Sequence, residues 1–198
     1  MGPREVRLVA GSQAAYFAGL AVCIAIRPRY LVSANEGGIS NFGIHAVTVV
    51  PFTAAFVAAA ALLFAAARTS APRSGLDRRF GTALRALSAV LVVVLVSTYD
   101  YKAAVWLHDL HVDVAIAATL YESALAVGVV AAVTRDSADL AALGVQLAGL
   151  ALAACSLAGW LHVLLVAQLV GSAGFAVLVI RATAALAGRA QAGAAGGR

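Results

Sequence analysis

His45, His108, His111 and His162 all fall at the same end of the apolar segments of this chain, and Glu122 lies well inside one of those segments. A bilayer strongly disfavours such groups, so their presence marks where ligand binding or chemistry is concentrated. Two imidazoles at i and i+3, as in His108 and His111, suit a divalent metal such as zinc when other helices add ligands. His45 and His162 stand at similar depth and complete a candidate metal set. A zinc ion there would lower the pKa of a bound water and equip a lipid hydrolase. Histidines also settle at interfaces because they are amphipathic, and a hydrogen-bonded polar mouth is the preferred reading of these four. No H-E-x-x-H motif is present.

Carboxylates offer a second chemistry. Glu122, with Asp100 and Asp109, forms the candidate acid set. A neutral carboxyl in an apolar cavity donates a proton, as an acid-initiated terpene cyclase using Glu122 or Asp100 would require. An ionised one binds a cation or relays a proton. The plainer reading of Glu122 is a polar tie between helices, with Tyr121, Ser123 and Gln168 as neighbours. If the fourth span opens near His108, then His108, His111 and Glu122 share a helix face while Asp113 points away. His111 and Glu122 lie about 16 Å apart along the axis, too far to share one metal. They can line one cavity, histidines at the mouth and acid at the floor.

Apolar helices must position these groups. The chain is 63% hydrophobic and 12% charged, with a mean hydropathy of +0.94. A soluble domain carries roughly 25% charged residues, so the composition predicts an all-α integral membrane protein. Six spans are expected, over 8–26, 46–67, 82–98, 112–134, 140–158 and 162–187. The last two come from one apolar run about twice as long as a single span needs, and Gly159-Trp160-Leu161-His162 supplies its turn. Residues 1–187 thus read as one six-helix bundle, and the Gly/Ala-rich stretch 188–198 as a disordered cytoplasmic tail.

Orientation follows from the arginines. With both termini cytoplasmic, that side holds Arg4, Arg7, Arg68, Arg73, Arg78, Arg79, Arg85, Arg135, Arg181, Arg189 and Arg198, while Arg27, Arg29 and Lys102 lie outside. The bias obeys the positive-inside rule. It also accounts for the net charge of +5 without a nucleic-acid partner. Tyr30, Tyr99, Tyr101, Trp106 and Trp160 collect at the outer interface, where amphipathic rings settle. Arginine- and alanine-rich composition points to a bacterial plasma membrane, with the chain crossing it several times. Cys23 and Cys155 lie in separate spans and form no disulfide or metal motif. Arg85 and Arg181 are expected to snorkel to the cytoplasmic interface without a chemical role.

The outer loops are the polar ones. Between Ser33 and His45 the glycines Gly37, Gly38 and Gly43 permit tight turns, while Ile39, Phe42 and Ile44 prefer burial. The loop is therefore able to fold over the bundle mouth, the alternative being an ordinary solvated connection. Glu36, Asn41, His45, Tyr99, Tyr101, Trp106 and Gln168 are the candidate ligand contacts there. Glycine and alanine pairs four apart, Gly149 with Ala153 and Ala154 with Ala158, predict close helix packing, as do Gly171 and Gly174.

The run Glu36-Gly37-Gly38-Ile39-Ser40-Asn41-Phe42-Gly43, with the apolar segment after His45, resembles the loop and helix of the DRAM-like six-helix membrane proteins and their bacterial relatives. The corresponding loop there reads approximately Ile-Ser-Asp-Leu-Gly, so Asn41 replaces the acid and Phe42 the leucine. His108-Asp109-Leu110-His111 is similar to the histidine that opens the fourth span in that group. The resemblance covers roughly a third of the chain, and its motifs are short. It implies six helices with ordered outer loops and no settled catalytic activity.

These features predict a polytopic protein whose outward-facing polar pocket binds a lipid or other hydrophobic small molecule. The enzymatic alternatives are the cyclase and the metal-dependent hydrolase. A transporter using Glu122 as relay ranks below both, because no internal repeat or pair of broken helices stands out.

Overall fold

In an apolar solvent the backbone must satisfy its own hydrogen bonds, and here it does so as helix. A computed structural model describes residues 1–69 and 74–195. Among them the chain is all-helical, with no strand: α1 (Pro3–Ile26), α2 (Tyr30–Gly37), a 3₁₀ segment (Ile39–Ile44), α3 (Val49–Thr69), α4 (Gly75–Thr98), α5 (Val105–Ala132), α6 (Ser137–Leu157) and α7 (Leu164–Ala195). The six longest helices are long and apolar enough to cross a membrane, which makes this a multi-pass membrane protein. Arg73, Arg198 and the rest of 70–73 and 196–198 lie outside the described residues.

Several helices outrun their apolar stretches. Ser74 caps α4, its hydroxyl accepting from the Asp77 backbone at 3.1 Å, so the helix begins at Gly75 rather than at 82. α5 begins at Val105 rather than 112, and His108, Asp109 and His111 therefore belong to its first two turns. α7 continues to Ala195, which corrects the disordered tail expected from 188. Alanine is the best helix former, and Arg189 Nη2 anchors the extension on the Val133 carbonyl at 2.7 Å.

The long apolar run breaks where expected. α6 ends at Leu157, and Gly159 adopts φ +77°. Trp160 N–H reaches back to the Cys155 carbonyl at 3.0 Å and Gly159 N–H to Ser156 at 3.1 Å. This is the Schellman ending, for which a left-handed glycine is the cheapest residue.

Around the bundle the neighbours run α1, α3, α4, α5, α6 and α7, with α7 closing on α1 and also touching α5. Hydroxyls tie the helices across their seams: Ser12 to the Ala59 carbonyl at 2.9 Å, Ser88 to Ala60 at 2.8 Å and Tyr121 to Ala83 at 2.9 Å. One apolar core, around Leu63, Leu84, Leu87 and Leu178, occupies the arginine-rich end. A second, around Leu20, Phe42, Phe52 and Phe56, occupies the histidine-bearing end. Arg181 does more than snorkel: it pairs with Asp136 and, through Nε, with the buried Asp139 at 2.5 Å.

Candidate functional site

The connection between α1 and α3 forms the top of the site. α2 and the 3₁₀ segment fold inward as a plug, with Asn41 only 1% exposed and Phe42 completely buried. Gly38 makes the turn with φ +70°, and a Cβ there would stand 2.7 Å from Gln168 Oε1, so glycine is required. That same Gln168 oxygen accepts the Ile39 backbone N–H at 2.7 Å and latches the plug to α7. Thr48 donates to the Phe42 carbonyl at 2.7 Å, and Asn41 donates to Ser33 at 2.8 Å. Lys102 Nζ reaches Asn41 Oδ1 at 3.4 Å from the far side. The loop is an ordered cover, not a solvated connection.

Below the plug lies a cavity of about 100 Å³ to which all six long helices contribute. Ile39 and Ser40 of the plug form part of its wall, and Gln13, Tyr16, Glu122, Gln146, Gln168 and Ser172 supply polar groups from four helices. On α5 the lining residues Ala115, Ala118, Thr119 and Glu122 follow helical spacing. Glu122 is partly buried and lines the cavity. Among the described residues no donor or cation meets its carboxylate.

The acid's expected neighbours sort differently. Gln168 lines the cavity with it. Tyr121 instead bonds across to α4, and Ser123 donates to the Thr119 carbonyl at 2.9 Å while accepting from Gln146 Nε2 at 3.3 Å. Gln13, Tyr16, Gln146 and Ser172 were not among the residues singled out by sequence. A glutamine deep in an apolar span is itself a signal, and Gln146 precedes the packing glycine Gly149 by nearly one turn.

The histidines do not join the acid. Among the described residues no three His, Cys, Asp or Glu side chains gather as a metal-holding group, so the set His45, His108, His111 and His162 is not assembled. Each ring has another role. His45 stacks on Tyr30 with centroids 4.0 Å apart, and burial, aided by the Lys102 charge, holds its pKa below the usual range. His111 Nδ1 pairs with Ser97 Oγ at 3.0 Å and stacks on Tyr101 at 4.7 Å, with His108 on the same tyrosine at 5.8 Å. His162 is exposed beyond α6. The cause is topological: helices α3, α5 and α7 begin at one end but at separate points of the ring. None of the four lines the cavity, so the histidine mouth above Glu122 is corrected to a plug of Ile39 and Ser40.

Other candidates also lie apart. Asp100, at φ +60°, is exposed in the α4–α5 turn, and Asp109 and Glu36 are exposed as well. Trp106 is 66% exposed on the bundle exterior, where it suits an interface rather than a pocket. Tyr99 bonds Thr53 at 2.5 Å. Tyr101 is buried, and burial raises its pKa, yet it does not reach the cavity wall. Asn41 and His45 serve the plug. Glu122 and Gln168 are thus the two candidates that share the cavity. No protein-family model, curated protein or solved structure matches this chain.

Proposed function

We propose that the chain is a membrane binding protein that holds a hydrophobic small molecule beneath the plug, with Glu122 as its polar anchor. The observation that carries this reading is the Glu122 carboxyl, which lines a cavity and has no partner among the described residues. A polar group left unpaired in an apolar interior is costly, whereas a bound ligand that meets it recovers that cost. The surrounding walls are mostly aliphatic and aromatic, as expected of a pocket for a largely apolar molecule.

The arginine distribution supports a location in a bacterial plasma membrane with both termini cytoplasmic, which turns the plug outward. Kinship with the DRAM-like six-helix proteins belongs to the same reading and rests on residues 36–43 and 108–111. Of the two acids a cyclase could use, Asp100 is exposed and only Glu122 lines the cavity, and among the described residues the hydrolase lacks a gathered ligand set.

Ala118→Leu places three extra carbons on the cavity wall. Extraction of the purified protein followed by mass spectrometry is expected to find a hydrophobic species with the parent and about tenfold less with the variant. Circular dichroism should show unchanged helix. Equal amounts in both proteins, or none in the parent, would overturn the proposal.

A further inference from the structure

Charge in the cavity is one-sided. Glu122 is the only carboxylate on its wall, and no lysine, arginine or histidine lines it among the described residues. A second acceptor is also unmet. Gln146 is 2% exposed and spends its Nε2 on Ser123 at 3.3 Å, which leaves Oε1 without a donor. That oxygen lies beside Gly171, where a Cβ would stand 3.6 Å away, and both residues belong to the cavity wall. The two acceptors stand on adjacent helices, α5 and α6.

The complementary head group carries positive charge and N–H donors. A carboxylate ligand would set two acids against each other. A neutral alcohol can meet one acceptor but brings no counter-charge, so Glu122 would have to stay protonated beside it, whereas an ammonium pairs with the ionised carboxylate. An inorganic cation needs a shell of oxygens, whereas Phe56, Leu87, Leu91, Val94 and Phe175 make much of this wall apolar. The space, about 100 Å³, accepts a head group and a few carbons. A cavity of roughly 150 Å³ holds the six carbons of benzene, so this smaller space takes the ammonium end of a longer amine.

We infer that the ligand is a lipophilic amine, bound as its ammonium on Glu122 with the Gln146 carbonyl as second acceptor. This rests on the reading of the cavity as a ligand site.

The experiment titrates hexylamine, hexanol and hexanoate against the protein in neutral-lipid nanodiscs by calorimetry, with empty discs as baseline. Hexylamine should bind about 10- to 100-fold more tightly than hexanol, as a charge-assisted hydrogen bond warrants. Glu122→Gln should remove that advantage, and hexanoate should not bind. If hexanol matches hexylamine and Glu122→Gln affects neither, the amine assignment fails while the cavity reading stands. If neither binds in a manner sensitive to Ala118→Leu, the cavity reading itself fails. Repeating the titration in sodium chloride against potassium chloride gives the third arm. Displacement of hexylamine by sodium, dependent on Glu122, would assign the site to a metal cation and overturn the amine.

Discussion

Thr48 and Tyr101 both bury a hydroxyl near the plug, with opposite outcomes. Thr48 is fully buried and donates to the Phe42 carbonyl at 2.7 Å, fixing the end of the 3₁₀ segment. Tyr101 is 3% exposed, its ring held against His111, but its Oη has no partner. Leaving a buried polar group unmet costs about 1–3 kcal/mol. Thr48→Val should therefore destabilise the fold by an amount in that range, read as a lower thermal midpoint in detergent, because it orphans the Phe42 carbonyl. Tyr101→Phe should hold or raise the midpoint, since it removes the unmet hydroxyl and keeps the ring. Equal losses in the two variants would show that the tyrosine hydroxyl has a partner. Sequence pointed to Glu122 and Gln168 because polar atoms inside apolar runs stand out. It could not separate Tyr121, which turns to α4, from Gln146, which turns inward. That distinction depends on how neighbouring helices are rotated, and periodicity within one helix does not report it.

Between α6 and α7 the backbones nearly touch. A Cβ placed on Gly149 would stand 2.4 Å from Gly171 N and 2.5 Å from its Cα, and one on Gly174 would stand 2.6 Å from the Ala142 carbonyl. Lipid offers no hydrophobic drive for helix association, so such approach is what holds this pair together. Gly149→Val meets backbone rather than a movable side chain and should destabilise by more than about 3 kcal/mol, the upper end of ordinary overpacking. Gly144→Ala, with nothing within 4 Å of its added carbon, should gain roughly 0.5–1 kcal/mol from helix propensity. Chemical unfolding of both variants checks the contrast, and similar midpoints would refute the close seam. Gly149, four residues before Ala153, was legible because small residues at that spacing have a fixed structural use, whereas Ala154 and Ala158, at the same spacing, are exposed. The helix ends were not legible. Hydropathy registers the apolar part of a helix and is blind to turns carrying Arg78, Arg79 or His108, which a cap or an alanine-rich run sustains beyond it.

The orientation of the bundle rests on its arginines, and single-cysteine labelling tests it. In a background with Cys23 and Cys155 replaced, Trp160→Cys in intact cells should react with a membrane-impermeant maleimide. Arg79→Cys should react only after permeabilisation. Reversed labelling would invert the topology and place the plug toward the cytoplasm. The count of six crossings was legible, because each needs about 20 apolar residues. The closed ring was not, because it depends on which faces meet. That is also why histidines at a common depth were expected to converge and instead stand apart.

One helix links both faces of the molecule. Near its start α7 holds the plug through Gln168, and farther along it holds the α6 cap through Arg181 and the end of α5 through Arg189. The cavity lies between these moorings. An axle pinned at both ends has little freedom to slide, so α7 cannot advance by a turn without releasing Ile39 at one bearing or Asp139 at the other.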